Sequence, residues 1–576
     1  MENSEYILGI QIGHDASAAV IDYNGRILAA IGEERLSRKK NHFGVPIESV
    51  RECLKICNIR NNEIDKVALA VSRIPTRYIK GYEHLEGYAV TAQLMNQYKD
   101  INAIINFENF QNDFGLTTQD LRWVDHHLGH AASAYYTSGF DDCMIITVDG
   151  TDGIYCASAN VAKNGIINRM ARSLDISSPG YFYSFITELL GFKRNRHEGK
   201  ITGLAAYAEP ENAFHLFKNC IKTSDNKLGF ELGFNPSQTL NVKWQNSNLQ
   251  LPLDTIKNID SYSREEIASS AQFFIENILC DHIAGMAGLT GMRKVALAGG
   301  VFANVKANQK ILELPEIDEI YIHPNMGDGG LAAGSALMVW ADELIGMKKV
   351  PWPQRIDNVY LGHDSDEKAL ESSFAGHKNL NVRYVKNIEK LIAGKMAQGK
   401  VIGRFNGRME YGPRALGNRS ILAAPVDRSI NDWLNKRLGR TEFMPFAPSV
   451  KEESASDIFE GFQAGCFPAE FMTITFDVKK SWRDKIPAVV HVDGTARPHV
   501  VKKSVNPSYY KIIEEYEKLT GIPVILNTSF NLHEEPIVCK PEDAVKAFDQ
   551  GRLDAVAIGN LMISKKESKR PSSLEL

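Results

Sequence analysis

Apolar positions in the first 30 residues alternate with short polar turns, in an order that repeats later in the chain. ILGIQIGHDASAAVIDYNGRILAA (7–30) reads as a buried strand, a Gly/Asp turn, a second strand, an Asn-Gly hairpin turn and a third strand. MIITVDGTDGIYCASANVAKNGIINRM (144–170) has the same order of elements, again closing on Asn-Gly. Each meander is followed by helical sequence, which predicts a duplicated α/β unit. In such duplicated folds the two Gly/Asp turns face each other across a cleft that holds a nucleotide's phosphates. KVALAGGVFANVKANQKIL (294–312) predicts strand, Gly-Gly turn, helix, with turn N–H groups aimed outward. IYIHPNMGDGGLAAGSALMVW (320–340) predicts strand, Gly/Asp loop and a small-residue helix. Together these elements predict an actin-like nucleotide fold.

Helical insertions are expected at roughly 78–120 and 205–290, the second carrying an Asn-rich surface excursion, NVKWQNSNLQLPLD (241–254). Two prolines in KKVPWPQRIDNVYLGHD (348–364) break the pattern, so a linker is placed there, with one domain at 1–347 and another at 365–576. In the second, apolar runs VIGRF, AVVHV, IPVILN and AVAIG alternate with helical sequence, giving another α/β domain. The tail KKESKRPSSLEL is polar and expected to fray.

A chain of 576 residues with 44% hydrophobic and 24% charged positions is a globular protein of at least two domains. Its 66 Lys and Arg against 70 Asp and Glu, net −4, argue against bulk binding to nucleic acid or an anionic membrane. Eight scattered cysteines without a C-x-x-C pair read as reduced thiols. The N-terminal MENSEYILGIQIG has no basic region ahead of an apolar core, so no signal peptide is expected, and LAAGSALMVWA (331–341) is too short to span a bilayer. A cytoplasmic enzyme is therefore expected.

VDHHLGHAASAYYTSGF (124–140) sets His126 and His130 four apart, on one face of a helix. Two neutral imidazoles there suit zinc, iron or a similar cation. An acidic third ligand is needed, and Asp149 and Asp328 both lie at strand ends facing the cleft. His127 falls on another face. In the C-terminal half, RMEYGPRALGNRS (408–420) offers Arg408, Arg414 and Arg419 around a Gly-Pro turn. HVDGTARPHVV (491–501) adds His491 and Arg497, and VILNTSFN (524–531) adds Asn527 and Ser529. Guanidinium forks fit phosphate oxygens, so these clusters form a candidate anion pocket.

HHLGHAASA, VDGTDG, GGVFANVKAN, YGPRALGNRSILA and NTSFN, in this order, resemble the O-carbamoyltransferases of antibiotic, toxin and nodulation-factor biosynthesis, of the tobramycin and nodulation type. The resemblance runs over essentially the whole chain. It implies an actin-like transfer domain joined to a threonylcarbamoyl-AMP synthase-like α/β domain. The second would make carbamoyl adenylate from carbamoyl phosphate and ATP with Mg²⁺. The first would pass the carbamoyl group to a small-molecule hydroxyl beside a metal, usually Fe²⁺.

The metal ligands so implied are His126, His130, Asp149 and Asp328. His14, in the HDASA turn, is either a general base or a residue that orders its own loop. Arg35 and Lys39, in EERLSRKK, lie near the acceptor or adenylate. Asp152, Gly299, Gly300 and Asn304 would bind the adenylate. Arg414, Arg419, Arg497, Asn527 and Ser529 would bind carbamoyl phosphate and ATP, with Lys436 and Arg440 as further cations. Relatives carry basic residues where this chain has Leu438 and Met444. Two other readings compete: an actin-like sugar kinase or ATPase, and a tRNA threonylcarbamoyl-type enzyme. The second would want a basic surface that the net charge does not offer. The acceptor and the oligomeric state stay open.

Overall fold

In the computed structural model, β1 (Tyr6–Gln11) buries five of its six residues, as an apolar run in a sheet covered on both faces should. The structure describes residues 6–71, 121–234, 239–240, 251–252, 258–365, 379–438, 446–551 and 553–566. β1 pairs antiparallel with β2 (Ser17–Asp22), which pairs with β3 (Ile27–Gly32). On its other side β1 runs parallel to β4 (Ile64–Val71), followed by β5 (Leu121–Asp125), giving the order β3-β2-β1-β4-β5.

The second meander repeats this plan with β6 (Cys143–Val148), β7 (Tyr155–Lys163) and β8 (Ile166–Leu174). Two small hairpins follow, β9 (Ile221–Thr223) with β10 (Phe230–Leu232) and β11 (Thr239–Leu240) with β12 (Leu251–Pro252). The sheet is completed by β13 (Lys294–Ala298) and β14 (Glu319–Ile322), in the order β14-β13-β6-β7-β8. Both sheets thus run third, second, first, fourth, fifth, the duplicated actin-like arrangement expected from the two meanders. The turns differ in detail. Asn164 and Gly165 both take positive φ (51° and 78°), a type I′ turn, whereas at Asn24-Gly25 only Gly25 does (79°).

Small residues let the two halves close on each other. The helix His126–Tyr136 crosses the helix Leu331–Gly346 where a Cβ on Gly334 would strike the carbonyl oxygen of Gly129. A Cβ on Gly9 would likewise strike the carbonyl oxygen of Ala332. The AASA and LAAGSA runs are therefore contact surfaces between backbones. The 205–290 insertion is helical only in part: besides the β9–β10 hairpin it holds the 27-residue helix Arg264–Thr290, capped by Ser263 and Glu266. The expected helical insertion at 78–120 lies outside the described residues, as do most of the Asn-rich excursion and all but the start of the tail.

The C-terminal half is a mixed eight-stranded sheet. Its strands are β15 (Leu380–Tyr384), β16 (Ile402–Phe405), β17 (Arg419–Ala423) and β18 (Ala447–Lys451), then, after the short pair β19 (Phe476–Asp477) and β20 (Thr495–Ala496), β21 (His499–Val501), β22 (Val524–Ser529), β23 (Ala555–Ile558) and β24 (Leu561–Lys565). Their order is β15-β24-β23-β16-β17-β22-β18-β21. VIGRF, IPVILN and AVAIG form strands as expected. AVVHV does not: Pro487 starts a 3₁₀ turn at Pro487–Val489, and a tight turn at His491–Gly494 follows. Ala488, Val489 and Val490 are buried there, while Val492 in the turn is exposed.

Residues 350–364 form an extended strap bonded to both halves. Gln354 N–H donates to Tyr136 O (3.0 Å), Ile356 N–H to Thr137 O (3.0 Å) and Tyr411 N–H to Val359 O (2.7 Å). One hydrophobic core runs through both halves, including Phe302 and Ile311 with Phe459 and Phe476. Among the described residues no helix is long and apolar enough to cross a membrane.

Candidate metal centre and anion site

Asp125 caps the helix that begins at His126, accepting from Leu128 N–H (3.1 Å). One turn apart, His126 and His130 point at the ends of β6 and of the loop before the helix Leu331–Gly346. His130 Nε2 lies 3.1 Å from Asp149 Oδ2 and 3.5 Å from Asp328 Oδ1. His126 Nε2 lies 3.9 Å and 3.6 Å from the same two atoms. One ligand-type atom from each of the four residues falls within 4.8 Å of the others. His126 Nε2 and Asp328 Oδ1 are buried without a hydrogen-bond partner, an arrangement that a shared cation would satisfy. Two imidazoles and two carboxylates fit iron or zinc.

Without a cation the cluster is an ion-paired network. Burial opposes charge on His126, but the carboxylates of Asp328 and Asp149 outweigh it and raise its pKa to about 9. Asp149 is held well below the carboxylate range: burial opposes this, and the neighbouring His126 and His130 overcome it. The backbone fixes Asp149 as well, with Gly150 N–H donating to Oδ1 (2.7 Å) and Gly300 N–H reaching Oδ2 (3.3 Å). His127 is not part of the group. Its Nδ1 meets Thr147 Oγ1 (2.8 Å) and its Nε2 meets Tyr155 O (3.3 Å).

The Gly-Gly turn reaches the cluster because Gly299 adopts φ 103°, where a Cβ would collide with the carbonyl oxygen of Val148. Asp152 and Asn304 are engaged internally. Asp152 Oδ1 accepts from the N–H groups of Ile154 (2.9 Å) and Tyr155 (2.7 Å). Asn304 caps the helix Val305–Leu312 and exchanges amide hydrogen bonds with Gln272.

The HDASA turn meets the Asp328 loop through Ser17 Oγ, which donates to Gly329 O (3.0 Å). His14 Nδ1 lies 3.0 Å from Asp15 Oδ2, and its side chain is 42% exposed. Burial disfavours its charge, yet the Asp15 hydrogen bond and charge, with Asp328 and Asp149 behind, raise its pKa to about 9. Arg35 is buried, donating to Gly412 O (2.9 Å) from the C-terminal half. Lys39 is exposed. Its neighbour Lys40, which the sequence reading passed over, lies 3.8 Å from Glu34 and within the field of Asp15.

In the C-terminal half Arg414 stands beside Arg497. Burial and then the Arg497 charge hold Arg414 well below the usual guanidinium range, and its Nε is buried without a hydrogen-bond partner. Two adjacent cations of this kind suit an anion and make this a candidate anion site. The structure puts Arg419 elsewhere: it is fully buried over the Phe405 ring and donates to the carbonyls of Asn406, Gly407, Asn418 and His363. Arg408 likewise donates to Leu28 O and Leu361 O.

Asn527 Nδ2 donates to Ala415 O (3.0 Å), next to Arg414, while its buried Oδ1 has no hydrogen-bond partner. Ser529 Oγ donates to Asn531 Oδ1 (2.6 Å). Arg440, the side chain of Lys436 and the Leu438 and Met444 departures lie outside the described residues. Glu410, unnoticed in the sequence, orders the arginine loop by accepting from the N–H groups of Leu416, Asn418 and Arg419.

The two sites share a seam. Tyr411 OH meets His323 Nε2 (3.3 Å), and a Cβ on Gly412 would come within 3.0 Å of Pro324 O. Tyr411 and Gly412 precede Arg414, and His323 and Pro324 lead into the Asp328 loop.

Residues 6–337 match the family model for the carbamoyltransferase N-terminus, and residues 393–565 that for the carbamoyltransferase C-terminus. Nodulation protein U of Rhizobium tropici is 32% identical over 97% of this chain and 96% of its own length. Nodulation protein NolNO of Sinorhizobium fredii is 32% identical over 96% of this chain and 79% of its own. Among solved structures, full-length HypF in the phosphate- and nucleotide-bound form is similar at a TM-score of 0.34 and 15% identity, over 61% of this chain and 48% of that one. The ROK hexokinase of Thermus thermophilus is similar at 0.31 and 11%, over 58% and 97%. These two structural likenesses are too weak to bear on function.

Proposed function

Because the chain belongs to the carbamoyltransferase family and is a transferase enzyme, we propose that it makes carbamoyl adenylate and transfers the carbamoyl group to a hydroxyl of a small molecule. In this reading residues 365–576 form the adenylate, residues 1–347 carry out the transfer, and 348–364 join them. Water converts carbamoyl phosphate to carbamate and phosphate. A carbamate oxygen then attacks the α-phosphorus of ATP and pyrophosphate leaves. Finally the acceptor's oxygen bonds to the carbamoyl carbon, AMP leaves, and the hydroxyl proton is released.

The observation that carries the proposal is the Arg414–Arg497 pair, an anion site in a separate half from the His/Asp cluster. A sugar kinase handles its phosphates in one cleft and has no use for the second site. Arg414 and Arg497 bind phosphate oxygens, and Asn527, fixed at Ala415 O, leaves its Oδ1 open to an amide N–H such as that of carbamate.

In the N-terminal half His126, His130, Asp149 and Asp328 would hold a divalent cation, for which the family resemblance suggests iron. Such a cation would supply a Lewis acid to a carbamoyl carbonyl. Gly299 and Gly300 bring the backbone close to the adenylate. His14, its Nδ1 held by Asp15, exchanges the acceptor's proton at Nε2. Divalent charge beside Asp149 and Asp328 would weaken the attraction that keeps His14 protonated.

Carbamoyl adenylate is readily hydrolysed, and the Tyr411–His323 seam supports internal passage over release to solvent. Pyrophosphate release that requires carbamoyl phosphate and is lost in Arg497→Ala would bear the proposal out. Phosphate release from ATP alone, unaffected by Arg497→Ala, would overturn it.

A further inference from the structure

Among the described residues outside the His126–His130 cluster, His491 is the one buried histidine with a buried ring nitrogen that lacks a hydrogen-bond partner. His127 and His323 each have both ring nitrogens engaged by protein atoms. In His491, Nδ1 faces Asp493 Oδ1 (3.2 Å), but Nε2 is buried without a hydrogen-bond partner, although the residue is only 9% exposed. A carboxylate at Nδ1 keeps the hydrogen on that nitrogen, so the neutral ring presents its lone pair at Nε2. That is the arrangement of an oriented base.

Asp493 is itself fixed from three sides. Its Oδ1 accepts from Thr495 N–H (3.0 Å) and Thr495 Oγ1 (2.7 Å), and its Oδ2 lies 3.1 Å from Lys306 Nζ. Lys306 belongs to the other half, on the helix Val305–Leu312. That helix follows the Gly299–Gly300 turn touching Asp149, and it docks on the C-terminal half through Asn308 Nδ2 to Thr473 O (2.8 Å) and Thr475 Oγ1 to Gln309 Oε1 (2.8 Å). The Tyr207 ring, also N-terminal, stands edge-on to His491 at 6.3 Å. The turn pairs His491 N–H with Thr495 O (2.8 Å), and Arg497 follows Thr495 by two residues.

We propose that His491 is the base for the water that attacks carbamoyl phosphate, with Asp493 as its positioning residue and Lys306 as the tether from the N-terminal half. This rests on the carbamoyl adenylate reading given above. The water oxygen bonds to the carbamoyl carbon while its proton passes to Nε2. The bond from that carbon to the phosphate oxygen breaks, and the departing phosphate takes the proton from Nε2. The carbamic acid so formed loses its remaining proton to solvent, carbamate is left beside Arg497, and His491 returns neutral. The tether places hydrolysis under the control of the docked interface, so that carbamate forms only where the transfer site is in place.

The test uses the full-length protein and compares pyrophosphate release driven by carbamoyl phosphate with release driven by freshly dissolved ammonium carbamate, which needs no attacking water. His491→Gln should lower the carbamoyl phosphate rate about 100-fold and leave the carbamate rate within about twofold. Asp493→Asn should show the same split with a loss of about tenfold or more, and Lys306→Met should follow Asp493→Asn. The carbamate rate also reports that each variant is folded. A His491→Gln enzyme equal to wild type with carbamoyl phosphate, or equally impaired with both donors, would overturn the inference alone. A wild-type enzyme that releases pyrophosphate with neither donor would overturn the carbamoyl adenylate reading on which it rests.

Discussion

Replacing Arg414 with Met separates anion binding from folding. The side chain sits beside Arg497, and burial together with that like charge makes its own charge unfavourable in the free protein. Two unit charges ~6 Å apart repel by ~3 kcal/mol at an effective dielectric of ~20. Arg414 is only partly buried, and screening reduces the relief on substitution to ~1–2 kcal/mol. Methionine keeps much of the side-chain volume, so little packing is lost.

In a phosphate-free buffer Arg414→Met should therefore melt level with wild type or up to ~3 °C higher. An anion at ~100 times its Kd adds ~2.7 kcal/mol to the form that binds it. Pyrophosphate should accordingly raise the wild-type midpoint by a few degrees and move that of Arg414→Met hardly at all. The assay is a thermal melt of both proteins across a pyrophosphate titration. A variant that melts several degrees below wild type and keeps the full pyrophosphate shift would refute the reasoning, because Arg414 would then be a structural residue.

Four further outcomes follow from the structure. His130→Ala or Asp328→Ala should weaken binding of an added divalent metal at least about 100-fold. His127→Leu should keep the metal and lose ~2–3 kcal/mol of stability through the unpaired Thr147 and Tyr155 groups; metal content and urea unfolding read the two effects. Gly299→Ala, forced to hold φ 103° against Val148 O, should lose at least ~2–3 kcal/mol and disturb the Gly300 contact to Asp149, measured in the same way. Glu534 joins the halves by meeting Lys193 (2.8 Å), Arg196 (3.0 Å) and His197 (3.0 Å), and these partners lower its pKa from 4.5 to about 2. A carboxylate lowered on folding adds stability above its unfolded pKa and loses it as the pH falls through the folded one. The stability gap between wild type and Glu534→Gln, ~1 kcal/mol for so solvated a cluster, should thus be constant above about pH 5.5 and shrink from pH 4.5 toward 2. A gap that does not change with pH would count against the ion pairs.

Local pattern carried the sequence reading far in the N-terminal half. Strand–turn–strand order, two Asn-Gly turns and a His pair at helical spacing are short-range signals, and each became an element or part of the His/Asp cluster. Asp149 and Asp328 were legible because strand ends converge in a duplicated fold. What was not legible depends on contacts between distant parts of the chain. Arg419 and Arg408 look like phosphate ligands beside a Gly-Pro turn, yet carbonyls of their own loop, of the strap and of β3 take up their hydrogens. Glu410 and Lys40 gave no signal, since their roles come from loop closure. AVVHV has strand composition, but Pro487 and the following turn outweigh it. The Lys306–Asp493–His491 chain spans 187 positions at its cross-domain step, and no spacing rule reaches that far.

The nucleotide product tests the central claim most directly. Purified protein should be given ATP, Mg²⁺ and carbamoyl phosphate, and the nucleotides separated after quenching. AMP or its carbamoyl ester should form together with pyrophosphate, in amounts that track the carbamoyl phosphate consumed, with no turnover of ATP alone. ADP and phosphate, formed whether or not carbamoyl phosphate is present, would contradict it.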